Sequence, residues 1–284
     1  MNYREAQVAG QFYPGTAGKL RAMLDELFRA AGKDAGTTEY PVAAVVAPHA
    51  GYVFSGRQAA KAYQYLKGRK YKLVCIISPS HREYFSGMSL YSGKAYRTPL
   101  GECPVHPEGR EAALKCEGVF LSGAGHRAEH ALEVQLPFLQ YILGELQIIP
   151  LVMGDQRAES VEQAKDCVRR LYKKFGEDIL FVASSDLSHF HTEAEARQMD
   201  GKFIELLEKA DDEKLQEAVR QGYAEACGAG PVLSILKGLG KKDHQVRVLG
   251  YSHSGEVMGD GREVVGYTSA VILRTARDSG KGHE

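Results

Sequence analysis

Polar side chains with catalytic potential follow several apolar segments of this sequence. In chain order, they are His49 after residues 42–47, His81 after residues 73–78, and Asp186 with His189 after residues 179–183. In an open parallel sheet, functional groups gather just beyond the carboxyl ends of the strands. Neutral imidazole is the commonest metal ligand in proteins. The pattern predicts that His49 and His81 converge on one metal site.

Asp186 and His189 can serve this site in two ways. They complete the shell of metal ligands, or they lie behind it as a hydrogen-bond partner and a general acid or base, because imidazole titrates near neutral pH. The residue pattern favours neither role over the other.

Cys227 directly precedes a predicted helix over residues 231–239, and Pro231 suits the first turn of that helix. A helix N-terminus lowers the pKa of a thiol, and the thiolate is the form that binds metal. The competing interpretation is a small buried side chain beside a glycine turn. Cys227 is therefore a candidate ligand with a structural alternative.

His130 lies in the segment EHALE at residues 129–133, which we expect to open a helix over residues 130–143. On a helix, His130 and Glu133 share one face. Acidic residues in a first turn are also favoured by the helix dipole, which is the structural explanation for Glu129 and Glu133. We interpret His130 as a pocket residue that takes part in catalysis, beside Asp186 and His189.

The elements that position these residues alternate along the chain. Continuously apolar strands separated by amphipathic helices indicate a mostly parallel sheet covered on both faces. The predicted strands are 42–47, 73–78, 148–153, 179–183, 246–252 and 264–273. The predicted fold is a single α/β domain over residues 1–284, with a central mostly parallel sheet flanked by helices and a flexible tail from residue 274.

Composition narrows the range of partners. The 284 residues include 36 Lys plus Arg and 36 Asp plus Glu, so the formal net charge is zero and no basic excess favours nucleic acid or an anionic membrane. The N-terminus lacks an apolar targeting segment, and no apolar run is long enough to span a bilayer. The five cysteines include no CxxC pair, as expected of reduced thiols in a cytoplasmic protein.

Linked motifs in the sequence resemble the Memo family. They run in order over about residues 9–273, and they are AGQFYP at 9–14, APHAGY at 47–52, SPSH at 78–81, YRTPL at 96–100, EHALEVQLP at 129–137, SSDLSH at 184–189 and CG at 227–228. The resemblance implies a fold similar to that of class III extradiol dioxygenases, which are non-haem iron enzymes. It also implies a metal bound by His49, His81 and Cys227, with Asp186 and His189 in the same pocket.

The resemblance carries further expectations about cofactor and partners. Iron(II) is the expected metal, and copper or zinc are alternatives, because a thiolate replaces the carboxylate ligand of the dioxygenases and is softer. Prokaryotic members imply association with an AMMECR-type protein and a radical-SAM protein. Two functions follow: a metal-dependent oxidoreductase acting on a small molecule, or a non-catalytic module that binds a peptide or small ligand in the ancestral pocket.

Overall fold

A computed structural model of the chain describes residues 3–32 and 38–275. Its strands are β1 Tyr3–Arg4, β2 Val42–Ala47, β3 Leu73–Pro79, β4 Met88–Tyr91, β5 Ala95–Thr98, β6 Gly101–Pro104, β7 Val119–Ser122, β8 Ile148–Met153, β9 Ile179–Ser184, β10 His189–His191, β11 His244–His253 and β12 Val264–Arg274. Its helices are α1 Ala17–Ala30, α2 Tyr52–Tyr63, α3 Pro107–Ala113, α4 Leu136–Leu143, α5 Ala158–Phe175, α6 Glu193–Glu208, α7 Asp212–Arg220, α8 Ala229–Leu239 and α9 Gly255–Met258.

Within the described residues, nine strands form one sheet in the order β10-β12-β2-β9-β3-β8-β4-β7, with β11 paired to β12. The centre is parallel, because β2, β3 and β8 all run in the direction of β9. The flanks are antiparallel, through β12 against β2 on one side and β4 against β8 on the other. A small second sheet joins β1, β5 and β6. The predicted α/β class with a mostly parallel central sheet is confirmed.

Helices cover both faces of the sheet, because alternate residues of each central strand point to opposite sides. In β2, Ala44 and Val46 pack with α5 and α8, whereas Val45 and Ala47 pack with α1, α2 and α4. Every residue of β2, β3, β8 and β9 is buried. Burial on both faces explains why these strands are apolar throughout.

Some boundaries differ from the sequence prediction. Helix α8 begins at Ala229, two residues before the predicted start at residue 231. The C-terminal strand β12 includes Arg274, whose guanidinium pairs with Glu177. The rest of the predicted flexible tail, from residue 276 onward, lies outside the described residues. Among the described helices, none combines the length and the apolar character needed to cross a bilayer.

Candidate metal centre

His49 lies two residues beyond the end of β2, and its side chain is 1% exposed. Its Nδ1 lies 2.8 Å from Oγ of Ser184, the last residue of the adjacent strand β9. The Ser184 hydroxyl donates its hydrogen to the carbonyl of Ala131, so Oγ acts as the acceptor for His49. Nδ1 therefore carries the proton, and Nε2 has a free lone pair for a metal.

His81 lies just beyond β3 and is held by the carboxylate of Glu129. Glu129 accepts a hydrogen bond from the His81 amide at 2.5 Å and lies 3.0 Å from His81 Nδ1. Burial works to raise the pKa of Glu129, but the bonds from His81 and from the amide of Ala131 outweigh it and lower the pKa to about 2. An ionised carboxylate accepts the Nδ1 proton, which leaves Nε2 of His81 available as a ligand.

The sequence prediction that His130 lies on a helix is wrong. Glu129 accepts hydrogen bonds from the amides of His130 and Ala131, which turns the chain there, and α4 begins only at Leu136 with Pro137 in its first turn. His130 Nδ1 lies 3.3 Å from the same Glu129 oxygen that faces His81. One carboxylate thus orients two imidazoles.

The three rings face one another across a small space. The ring centroids of His49 and His81 are 5.1 Å apart, those of His49 and His130 5.5 Å, and those of His81 and His130 5.0 Å. Within the part of the chain that the structure describes, these three form the one group of metal-ligating side chains whose ligand atoms all lie within 4.8 Å of one another. The His81 side chain is 29% exposed, so the site opens to solvent on that side.

Cys227 contacts the histidine group at His49. Its Sγ lies 3.1 Å from His49 Nε2 and accepts the amide of Asp186 at 3.2 Å. It precedes α8, as the sequence predicts, but the expectation of a lowered thiol pKa is wrong. Burial raises the pKa of Cys227 well above its usual value, and the charge of Asp186 adds to the effect. Both outweigh the helix N-terminus.

Asp186 follows β9, which lies between the strands that carry the other two site residues. Because β2, β9 and β3 are parallel, His49, His81 and Asp186 lie at one edge of the sheet, as predicted. Asp186 Oδ1 accepts the His49 amide at 2.6 Å, and Oδ2 lies 3.9 Å from His49 Nε2. Burial raises the pKa of this carboxyl to about 7.

His189 begins the edge strand β10. Its Nδ1 lies 2.8 Å from the carbonyl of Leu187, which accepts a hydrogen bond and leaves Nε2 without that proton. Burial lowers the pKa of His189, and the charge of His81 lowers it further. His189 is thus a neutral imidazole near the cluster, suited to accept a proton.

The arrangement fits a transition metal. Burial lowers the pKa of His49 well below its usual value, with help from the charges of His81 and His130, and burial lowers the pKa of His130 to about 4. These two rings are neutral at pH 7, which is the form that ligates. Imidazole nitrogens with a nearby sulfur suit iron, copper or zinc and not magnesium or calcium.

Three positioning residues are absent from the sequence prediction. They are Glu129, Ser184 and Gln135, whose amide donates to Ser184 Oγ at 2.8 Å and to the Pro48 carbonyl at 3.1 Å. Glu129 was explained by the helix dipole, and no helix begins there. Its position next to His130 was the one available signal, since metal-binding histidines pair with carboxylates.

Comparisons with known proteins identify the family of this chain. The chain matches the family of Memo-like proteins over residues 4–271. It is 37% identical to a MEMO1 family protein of Methanosarcina barkeri, covering 95% of this chain and 99% of that one. A MEMO1 family protein of Thermotoga neapolitana is 34% identical over 95% of this chain and 99% of its own.

The fold also has a solved counterpart. The crystal structure of an uncharacterised protein of Escherichia coli K12 superposes with a TM-score of 0.54 at 13% identity, covering 80% of this chain and 98% of that one. At that identity the likeness concerns the fold alone. The family match over nearly the whole chain, together with the two relatives, shows that this chain belongs to the Memo family of Memo-like proteins.

Proposed function

We propose that the chain is a metal-dependent oxidoreductase that uses iron(II), or copper, in a pocket similar to that of the non-haem dioxygenases. In this proposal His49 and His81 bind the metal together with Cys227, and His130 lies against the same centre as a further nitrogen donor. The observation that carries the proposal is that three imidazoles converge, and that His49 and His81 each have Nδ1 hydrogen-bonded to an oxygen and thus present Nε2. Such outer partners are typical of metal-binding histidines.

The donor set favours a redox metal. Four protein donors would close a tetrahedral zinc site, whereas non-haem iron(II) sites keep open positions beside their protein ligands. The partial exposure of His81 leaves a path from solvent for a small molecule. A bound iron or copper would supply one-electron chemistry at this opening.

The chain's own residues would manage the protons. Asp186, with a pKa of about 7 before metal binds, exchanges a proton near neutrality. His189 is neutral and accepts protons at Nε2, since its Nδ1 is bonded to Leu187. We assign these two residues to proton transfer and not to metal binding.

The test is metal content and oxygen use. Protein purified without oxygen should contain iron or copper by mass spectrometry, and it should consume oxygen when ascorbate is added. His49→Ala should lose the metal, whereas His244→Gln, a histidine at the start of β11, should keep it. Absence of redox metal and of oxygen consumption in the wild type would refute the proposal. Binding of redox-inert zinc without turnover would favour the alternative, a non-catalytic module for a peptide or small ligand.

A further inference from the structure

Phe190 has an unusual backbone conformation. Its φ is +63°, in the left-handed region that bulky side chains avoid, and it is 72% exposed. It is the extra residue of a bulge, because His189 pairs with Val265 and His191 pairs with the adjacent Val264. Glycine is the usual residue in such a bulge, because a Cβ atom makes the left-handed conformation unfavourable. An exposed phenylalanine here lacks the burial that would offset this cost.

Ala210 is the only other non-glycine residue at positive φ within residues 3–32 and 38–275, and its conformation has an ordinary cause. It follows the end of α6. Its amide donates a hydrogen bond to the carbonyl of Leu207, and the amide of Asp211 donates one to the carbonyl of Leu206. This pair of hydrogen bonds ends many helices, and it requires a residue in the left-handed conformation. Phe190 ends no helix, so its conformation has another origin.

Glu225 holds the bulge from both sides. One oxygen accepts the His189 amide at 3.1 Å, and the other lies 2.9 Å from His191 Nε2. The residues before and after Phe190 are thus fixed to one carboxylate. The Phe190 ring remains at the surface, with its centroid 5.7 Å from that of His189. Strain that surrounding contacts maintain in this way is typical of functional sites.

We propose that Phe190 is a ligand-binding residue that contacts an apolar arm of the molecule whose polar head enters the metal centre. This inference rests on the proposed function, because it takes the metal centre as the place where the head binds. Phe190 directly follows His189, which lies close enough to the histidine group for its charge to act on His49, so the chain puts an apolar surface beside a polar one. A ligand with an apolar arm and a polar head would contact both the Phe190 ring and the metal centre. Removing the ring from water against an apolar group is favourable.

Two hydroxamates test the inference, because both chelate metal through the same head and differ in the arm. Iron(II)-loaded protein, kept free of oxygen, is titrated by calorimetry with benzohydroxamate, which has a phenyl arm, and with acetohydroxamate, which has a methyl arm. The wild type should prefer the phenyl compound. Phe190→Gly and Phe190→Asn, which both tolerate the left-handed backbone, should reduce the affinity ratio about fivefold. Phe120→Ala is the matched control, an exposed phenylalanine at the other end of the sheet order, and should leave the ratio unchanged.

A second measurement needs neither metal nor ligand. Phe190→Gly should raise the Tm of the metal-free protein by about 2 °C or more, because it relieves the strained backbone and loses little buried surface. An unchanged affinity ratio in Phe190→Gly, with both hydroxamates still bound, would overturn the role of Phe190 and leave the metal site intact. Failure of both hydroxamates to bind the iron(II)-loaded wild type would overturn the open metal site, and the inference with it. A Tm that does not rise would contradict the strain on which the inference depends.

Discussion

The sulfur of Cys227 lies 3.1 Å from Nε2 of His49. The other ring nitrogen, Nδ1, is hydrogen-bonded to the Ser184 hydroxyl. In the metal-free protein this thiol is protonated at neutral pH, because burial raises its pKa. A metal that binds both atoms must displace the thiol proton. In the bound state we expect the two atoms to separate to roughly 3.5 Å, the distance between N and S ligands of one tetrahedral ion.

The first prediction is that metal affinity rises with pH and that Cys227 contributes one proton to this dependence. Between about pH 6 and 8, Cys227→Ser should reduce the slope of log affinity against pH by about one, since serine does not ionise there. Zinc titrations at several pH values, with a competing chelator, measure both slopes. Equal slopes in the two proteins would exclude Cys227 as a thiolate ligand.

The second prediction concerns Glu129, which orients His81 and His130. Glu129→Gln should weaken zinc affinity about 10- to 100-fold, because an amide group cannot accept all the bonds that the His81 ring and three backbone amides donate to this carboxylate. Glu83→Gln is the matched control, since Glu83 pairs with the exposed Arg127. A similar loss in both variants would mean that Glu129 has no specific role in positioning the rings.

The third prediction separates His189 from the ligands. His189→Ala should retain metal within about tenfold of wild-type affinity, whereas His49→Ala should lose more than about 100-fold. The reason is that His189 lies outside the group whose ligand atoms come within 4.8 Å of one another. Chelator competition with each variant gives the comparison. If the two variants lose metal equally, His189 is a ligand and its assignment to proton transfer is wrong.

The fourth prediction links Asp186 to stability in the metal-free protein. Its folded pKa of about 7 exceeds its ordinary value of 3.8, so the folded state binds the proton more tightly. The contribution of this proton to the free energy of unfolding is fully present below about pH 4 and is lost as the pH rises through 7. It amounts to roughly 4 kcal/mol. Urea unfolding from pH 4.5 to 8 should show the wild type weakening relative to Asp186→Asn. Parallel curves would contradict a raised pKa at this position.

The fifth prediction concerns the N-terminal strand. The buried guanidinium of Arg4 bonds to the Glu133 carboxylate at 2.5 Å and to the carbonyls of His126 and Glu129. Arg4→Ala leaves the Glu133 charge without this partner and should cost about 3–5 kcal/mol of unfolding free energy. Adding Glu133→Gln should recover part of the loss. Arg97→Ala, which removes the exposed ion pair with Glu5, should cost much less unfolding free energy.

The positions of His49, His81 and Asp186 were predictable from the sequence, because continuously apolar strands are parallel and buried, and their carboxyl ends meet. The conformation around His130 was not. Its apolar pattern is helical from Leu136 onward, but the Glu129 side chain replaces the first helical turn with its own bonds to the chain. Such a contact depends on where His81 lies in space.

The pKa of Cys227 was mispredicted for a similar reason. Helix position is visible in sequence, whereas the depth of burial and the neighbouring Asp186 are tertiary features. The bulge at Phe190 was equally hidden. Bulges of this kind are usually marked by glycine, and here the marker is replaced by an aromatic residue.

The order of strands in space has a consequence for biosynthesis. Strand β9 separates β2 from β3, although it is made long after both. A nascent chain that has passed His81 already holds His49 and His81, but it lacks the strand that sets their separation, the Ser184 hydroxyl and Cys227. Pairings between residues distant in sequence form late. The three imidazoles of the proposed metal centre therefore reach this arrangement only after residue 184 has been synthesised, so a shorter nascent chain would not offer it to an ion.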